Sequence, residues 1–336
     1  MNWNKGFSAK YFYTLVDPVT WRDIGTYKLI GGSVMKSCDG LMQSGDMEIT
    51  TLPTDGESWI RIYLAAKQGE TGVRDALFTG LLQTPSREWE GVKGVYKAET
   101  YSVLKPAEDI LLDRGWYAGT GTDAAMVAAE LLSVGPAPVS YADNAPTLEE
   151  PLVAEAHETN LSMAQKLVKA INWRIRISGE GAISIEPKPT AASEEFDSIR
   201  NDIMELKVTD TRDWYECPNV FRAVVGNIMA IARDEDDASP FSIQNRGREI
   251  WAEDDSVALN SGESLEQYAT RRLAEEQAPS RSVSYDRRYQ PDIYPGDMVR
   301  IKQPRQGIDG DFIITSQKIS FGYGARVSEE ATAWQT

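Results

Sequence analysis

The fold is decided by the stretch Tyr289-Gln290-Pro291-Asp292-Ile293-Tyr294-Pro295-Gly296-Asp297-Met298-Val299-Arg300-Ile301. Its centre predicts a tight turn, because Pro295 pre-sets the backbone angle at the first turn position and Gly296 accepts a positive φ. Asp297 can hydrogen bond back to the backbone of the same turn. One strand is therefore predicted to end before the turn and another to begin at Met298. This wiring is typical of a small antiparallel barrel or sandwich.

The sequence after this stretch continues the β pattern. A second turn is predicted at Asp309-Gly310, which opens onto Phe312-Ile313-Ile314-Thr315. The C-terminal strands are predicted at 280–288, 298–302, 311–316 and 318–321, and a polar tail follows.

Composition limits the class of protein. The 336 residues are 41% hydrophobic and 26% charged, as in globular proteins, and this length predicts two to four hydrophobic cores. No window is as apolar as a membrane span, and the first residues do not resemble a secretory signal. Cys38 and Cys217 lie far apart without metal-type spacing, which favours buried thiols in a reducing cytoplasm.

The chain is acidic, with 51 acidic and 35 basic residues and a formal charge of -16. This charge disfavours binding to a phosphate backbone or to an anionic membrane. Solubility alone explains it, and so does a surface that must not hold a passing polyanion.

Residues 1–100 are predicted as a first β-barrel-like domain. Turn signals divide this region into short strands, and in 59–64 the side chains of Ile60, Ile62 and Leu64 share one face. Short strands at this spacing favour a barrel or sandwich over βαβ units.

Residues 101–190 are predicted as an α/β insert. Helices are predicted at 107–113, 124–132 and 161–172, and hairpin strands at 173–177 and 182–186. Thr122 or Asp123 can cap the second helix. Ser162 and Gln165 have capping-box spacing before the third, although Thr159 or Asn160 could be the cap.

The rest of the chain is predicted as a second β unit with its own insert. Residues 191–232 form a connector and the start of a second β-barrel-like domain, in which 220–232 is one long strand or two with a kink at Gly226. Residues 233–279 form a second helical insert, whose helix begins at a capping box, Ser264 to Gln267, and ends before Pro279. Residues 280–336 complete the second barrel. The predicted fold class is mainly β with α+β inserts, in two similar antiparallel β-barrel-like domains.

Few motifs could carry chemistry. Gly119-Thr120-Gly121-Thr122 precedes a helix and could hold a phosphate, but without a P-loop lysine a plain loop and cap is favoured. The acidic runs 234–237 and 253–255 lack the spacing of a calcium loop and are interpreted as solvated loops. His157, the single histidine, has no nucleophile partner in the sequence. No catalytic, cofactor-binding or metal residue is predicted, and the chain is not predicted to be an enzyme.

The nine tryptophans allow two interpretations. They could be platforms for sugars, or anchors in cores and subunit interfaces, which is favoured. They include Trp21, Trp59, Trp89, Trp116, Trp173, Trp214, Trp251 and Trp334.

The region from Ser282 to Trp334 resembles the hub proteins of bacteriophage tail tips and baseplates. In that family a Pro-Asp pair precedes a Pro-Gly-Asp turn and a strand, as in Pro291-Asp292 and 295–301. A returning strand and a Ser-Gln-centred strand follow, here 315–321. The helix containing Leu265, Tyr268, Ala269 and Leu273 and the helix–hairpin order of the first insert are also similar.

The resemblance implies a trimer in which two barrels from each chain form a ring of six, joining a six-fold tail tube to a three-fold tip. Implied partners are a distal tail or tube protein, the tape-measure protein and a central fibre or spike. The implied location is the virion tail tip, assembled in the host cytoplasm, with transient proximity to the host membrane. No cofactor and no specific nucleic-acid binding are implied, although DNA passes through.

The resemblance suggests a function for the acidic charge. Three copies would carry a formal charge of -48, since each carries -16, and an acidic bore would let DNA slide without phosphate contacts. Other functions stay open: a carbohydrate- or receptor-binding tail module, a tail-associated cell-wall hydrolase, or a hub of a contractile injection or secretion system.

Overall fold

The computed structural model describes residues 1–90, 93–199, 203–212, 214–215, 217–255, 257, 259, 263–277 and 281–334. Within them the chain is mainly β, as predicted. The strands are β1 (Ser8–Val16), β2 (Asp23–Ser37), β3 (Gln43–Ile49), β4 (Ser58–Gln68), β5 (Thr71–Glu90), β6 (Lys93–Ser102), β7 (Tyr117–Ala118), β8 (Val139–Tyr141), β9 (Leu152–Val153), β10 (Trp173–Ile177), β11 (Ile183–Pro187), β12 (Glu194–Asp197), β13 (Met204–Arg212), β14 (Val220–Val225), β15 (Ile228–Arg233), β16 (Trp251–Asp254), β17 (Arg281–Arg288), β18 (Met298–Gln303), β19 (Ile308–Ser320) and β20 (Arg326–Ala333). The helices are α1 (Lys105–Asp109), α2 (Ala124–Leu132), α3 (Asn160–Ala170), α4 (Ile243–Arg246) and α5 (Leu265–Gln277).

The first six strands pair in a closed ring. Their order is β1-β4-β5-β6-β3-β2, every neighbouring pair is antiparallel, and β2 pairs back with β1. Alternating side chains fill the interior, so that Ile60, Ile62 and Leu64 are fully buried on one face of β4, as the sequence predicts.

Six later strands repeat this order. They run β12-β18-β19-β20-β17-β13, and when the strands of each set are numbered along the chain both sets read 1-4-5-6-3-2. Two differences separate the sets. β12 lies parallel to β18, whereas β1 is antiparallel to β4. Among the described residues no pairing joins β12 to β13, so the second set is open where the first is closed.

The long strand β19 of the second set also pairs with the first set. Its first half pairs with β18 and packs Phe312 and Ile314 into the second core, while its last residues pair with β2 and place Ile319 in the first core. The pairing of β19 with β20 shifts register between Ile314 and Ser316, so Thr315 is a bulge residue. Because one extra residue changes which face the following side chains occupy, the bulge directs even-numbered residues into one core and odd-numbered residues into the other.

The first insert packs α2 and α3 against a sheet of β10, β11 and β8. The predicted helix over 124–132 is confirmed with Asp123 as its cap, and Thr159 forms the capping box of α3 with Ser162. The helix predicted at 107–113 is shorter, at Lys105–Asp109. Ile110 is already extended, and its carbonyl accepts from the Asn160 amide at 2.9 Å.

The run 220–232 is not part of the second barrel-like sheet, contrary to the prediction. Gly226, at φ 58°, turns the chain, and β14 and β15 form an antiparallel hairpin that joins β16 in a separate sheet. This sheet packs against α5, whose predicted capping box between Ser264 and Gln267 is confirmed. Pro279, the predicted stop of that helix, lies outside the described residues. The five domain boundaries themselves stay predictions.

Two predictions at the C-terminus are wrong. Asp309 and Gly310 lie inside β19, and the turn comes earlier, in a 3-10 turn at Pro304–Gln306 that Gly307 ends at φ 71°. The residues after 321, interpreted as a polar tail, include strand β20, in which Val327, Glu329 and Ala331 point inward. A buried glutamate at an inward position hides this strand from a purely hydrophobic pattern.

None of the helices in the described ranges is both long and apolar enough to cross a membrane.

Candidate functional site

The turn at 294–297 is the structural junction of the chain. Asp297 accepts the Tyr294 amide at 2.8 Å through its carboxylate, and Gly296 has φ 87°, as the sequence predicts. The Gly296 amide donates to Ile314 O at 2.7 Å, which ties the turn to β19. The other Asp297 oxygen lies 2.8 Å from Arg174 of β10, so the turn also holds the first insert.

The ring of Tyr294 contacts basic side chains from two other parts of the chain. Lys36 Nζ of β2 lies 4.4 Å from the ring centroid, and the Arg176 guanidinium of β10 lies 4.7 Å from it. The Tyr294 hydroxyl accepts the Gly179 amide at 3.3 Å. One side chain thus joins the closed ring, the first insert and the turn.

The lysine of this junction is buried, with 4% of its surface exposed. Burial lowers the pKa of Lys36 to about 7; Asp75 opposes that shift and Arg176 and Arg287 add to it. Nearby, the Tyr289 hydroxyl donates to Asp75 of β5. Burial raises the pKa of Asp75, and this hydrogen bond only partly offsets the rise.

A fully buried ion pair, Arg287–Glu329, stabilises the residues just before the turn at 294–297. Glu329 accepts from Arg287 Nε at 2.7 Å and from Arg287 Nη2 at 2.6 Å, and both side chains are 0% exposed. Gln317 donates to Glu329 at 2.8 Å and to Ile293 O at 3.1 Å. Three strands and the stretch before Pro295 are therefore fixed by one carboxylate.

The first insert also seats a turn on the outer face of the closed ring. Arg61 Nη2 donates to Glu180 O at 2.9 Å, and Thr79 Oγ1 donates to Gly179 O at 2.8 Å. A Cβ on Gly179 would lie 1.7 Å from Ala76 O, so only glycine permits this approach. The contact also covers Arg61, which the sequence places on the outer face of β4 and which is 6% exposed.

The loop 119–122 is held by backbone hydrogen bonds. The Gly121 amide donates to Leu148 O at 2.7 Å, and Thr122 N to Gly119 O at 3.2 Å. The Asp123 carboxylate accepts the Met126 amide at 3.0 Å, so a carboxylate already occupies the start of α2. This geometry is that of a loop and cap.

The acidic runs have local structural contacts, and Glu253 and Asp254 lie in strand β16 rather than in the predicted loop. Asp234 accepts from Ser239 and Gln277, and Glu253 pairs with Arg222. Within the described ranges, no group of three or more His, Cys, Asp or Glu side chains could hold a metal ion. His157 is exposed at φ 67° in the turn before α3.

The tryptophans divide between core and surface. Trp173 is buried, and the rings of Trp21 and Trp59 meet edge to face at 5.5 Å. The exposed ones are Trp89, Trp214, Trp251 and Trp334. Exposed indole rings are candidates for subunit or partner contacts.

Sequence reasoning missed the residues that link the parts. Lys36 carries no local signal, because its burial depends on Tyr294, which is 258 positions away in sequence numbering. The pair Arg287–Glu329 does have a local sequence signal. In β17 the side chains of Val283, Tyr285 and Arg287 point inward at every second position, so a charge lies where the pattern predicts an apolar residue. A charged inward position on each of two neighbouring strands predicts a buried ion pair.

Comparison with known proteins identifies the fold. No protein-family model and no curated protein sequence matches the chain. The 43 kDa tail protein of prophage MuSo2 from Shewanella oneidensis matches with a TM-score of 0.70 at 12% identity, over 96% of this chain and 98% of that one. A tail protein from Neisseria meningitidis MC58 matches with a TM-score of 0.70 at 13% identity, over 96% of both chains.

A third similar structure is an Escherichia coli component of the type VI secretion system with structural similarity to bacteriophage T4 tail proteins. It matches with a TM-score of 0.51 at 7% identity, over 92% of this chain and 74% of that one. The resemblance stated from the sequence is confirmed at the level of the fold: this chain has the fold of bacteriophage tail proteins.

Proposed function

We propose that this chain is a structural hub of a phage tail tip or baseplate, not an enzyme, and that it acts as a trimer. The observation that carries the proposal is the match to phage tail proteins over nearly the whole chain. The internal architecture of the chain is the second support.

The repeated strand order supports two related barrels in each chain. The closed ring and the open second set have the same order, 1-4-5-6-3-2, and β19 of the second set pairs with β2 of the ring. Three chains would then supply six similar barrels, which is what an adaptor between a six-fold tube and a three-fold tip requires. The buried junction around Tyr294 fixes the angle between the two units of each chain, so that the assembly of three chains has a defined diameter.

The proposed partners follow from this position. A distal tail or tube protein contacts one side of the ring, a fibre or spike contacts the other, and the tape-measure protein and DNA pass through the bore. The acidic chain makes the bore a low-friction path, because a negative wall offers no contacts to phosphate. The virion tail tip is the proposed location.

Mass measurement of the purified chain tests the proposal. We expect a species of about three times the 37.3 kDa chain mass, with three-fold symmetry in particle images. A chain that stays monomeric at high concentration, alone and with tail tube protein, contradicts the hub. Cleared bands on a peptidoglycan gel would instead indicate a cell-wall hydrolase.

A further inference from the structure

One edge of the first insert exposes apolar side chains beside carboxylates. Its two chain segments are joined by backbone hydrogen bonds, from Leu112 N to Glu158 O at 2.9 Å and from Ala154 N to Trp116 O at 2.9 Å. We call this surface the acidic strip; it consists of Ile110, Leu111, Asp113, Tyr117, Glu149, Glu150 and Val153. Tyr117 is 67% exposed. In the described part of the chain, no lysine or arginine pairs with the three carboxylates.

A cavity of about 460 Å³ lies at the base of the second insert. We call it the arginine pocket; it is lined by Trp214, Tyr215, Pro240, Phe241, Arg246 and Arg248. Trp214 is 62% exposed and Tyr215 is 73% exposed, which is unusual for rings of this size.

The two arginines of the pocket are held in place by neutral groups. The Arg248 guanidinium lies 5.1 Å from the centroid of the Tyr215 ring, and Arg246 donates to backbone carbonyls, including that of Tyr215 at 3.3 Å. Neither arginine contacts a carboxylate among the described residues. The pocket therefore presents two positive charges and three aromatic rings on a chain whose formal charge is -16.

We propose that the arginine pocket of one copy binds the acidic strip of a second copy. The pocket offers aromatic rings and two arginines that contact no carboxylate of the described residues, and the strip offers apolar side chains and carboxylates that have no lysine or arginine partner among those residues. Charge and apolar surface are therefore both complementary. Trp, Tyr and Arg are also the residue types that dominate the energy of protein interfaces. A second copy is the favoured occupant because it carries this strip and is itself acidic.

This contact is heterologous, since the pocket and the strip are different surfaces on different inserts. Each copy contributes one of each, and a rotation that closes the contact gives a ring. The inference rests on the proposed trimer and names the surfaces that hold it. It also explains how copies with a large like charge associate, because the contact brings the arginines of one copy to the carboxylates of another.

Charge reversal on the full-length chain tests the contact. Arg248→Glu is compared with Arg305→Glu, an exposed arginine of the 3-10 turn, and Glu149→Arg/Glu150→Arg with Glu130→Arg, on the exposed face of α2. Sedimentation velocity measures the association constant of each variant at low and high salt. We expect a fall of about tenfold or more for the pocket and strip variants and little change for the controls.

The combined variant Arg248→Glu with Glu149→Arg/Glu150→Arg decides the matter, because reversed charges face each other again. Recovery of most of the lost association supports the contact. If the trimer stays intact both in Arg248→Glu and in Glu149→Arg/Glu150→Arg, the inference is overturned, but the proposed hub function is not. A wild-type chain that never self-associates overturns both, and pocket variants that lose only binding to another tail protein assign the pocket to that protein instead.

Discussion

Replacing Glu329 with glutamine should be among the most destabilising conservative changes in this chain. The variant keeps the shape of the side chain but removes the charge that faces Arg287, and both groups are 0% exposed. Of the three hydrogen bonds that the carboxylate accepts, at 2.6, 2.7 and 2.8 Å, the amide can retain only those that reach its remaining oxygen. Its NH₂ group would face an arginine donor.

The magnitude follows from the burial of the arginine that is left behind. Burial alone would lower the pKa of Arg287, but Glu329 outweighs it and raises that pKa, so the native state relies on the pair. Removing one partner of a buried ion pair costs about 3–5 kcal/mol, because an uncompensated charge remains. The same substitution at an exposed site costs about 1 kcal/mol or less.

Urea unfolding followed by circular dichroism measures this difference. The matched control is Glu205→Gln, because Glu205 pairs with Arg326 at 3.3 Å but is 50% exposed. The double variant Arg287→Met/Glu329→Leu should be more stable than Glu329→Gln, since it leaves no buried charge. The reasoning is refuted if Glu329→Gln unfolds at the same urea concentration as Glu205→Gln.

Three further changes test the junction. Lys36→Met should stabilise the chain at neutral and acidic pH, because the folded state lowers the pKa of Lys36 from 10.5 to about 7. Between these two pH values the free energy of unfolding of the wild type should rise relative to that of the variant, by at most about 1.4 kcal/mol per pH unit. Parallel pH profiles of the two proteins would contradict this. Gly179→Ala should lower the unfolding temperature and increase proteolysis of residues 105–187, because the added Cβ would lie 1.7 Å from Ala76 O. The control is Gly322→Ala, because no atom lies within 4 Å of a Cβ at that position. Gly296→Ala should lower the free energy of unfolding in urea more than Gly307→Ala does. Both glycines have positive φ, where an added side chain costs about 1 kcal/mol, but only a Cβ at position 296 would contact Arg174, at 3.2 Å. Equal losses would show that the Arg174 contact has no energetic weight.

The sequence predicts local elements well where the signals are local. The turn at Pro295-Gly296-Asp297 and the helix over 124–132 depend on residues within a few positions, and both are confirmed. The end of α1 and the turn predicted at Asp309-Gly310 are wrong, because each depends on a distant partner or on a strand that pairs across it; the turn lies at Pro304–Gln306. Asp-Gly is a hairpin signal only when the flanking strands end there.

Assignment of strands to sheets was less predictable than the strands themselves. The run 220–232 has the apolar character of a barrel strand. Gly226-Asn227 is a local hairpin signal, but nothing within the run shows that the hairpin joins β16 and packs against α5 instead. The junction is hidden for the same reason. Tyr294 is an ordinary strand-edge tyrosine in the sequence, and its two cationic neighbours come from β2 and β10.

Strand β19 joins the closed ring to the open second set, because it pairs with β2 of the ring as well as with β18 and β20. A strand that packed every second residue into a single core could not serve both units, because its other face would point to solvent. The bulge at Thr315 removes this limit: Phe312 and Ile314 fill one core and Ile319 fills the other, and the Thr315 hydroxyl donates to Glu330 O at 3.0 Å. The Gly296 amide bonds to β19 one residue before the bulge, at Ile314 O. The Pro-Gly-Asp turn therefore lies where the closed ring and the second set meet, and its hydrogen bond to Ile314 O holds it to the strand that joins them.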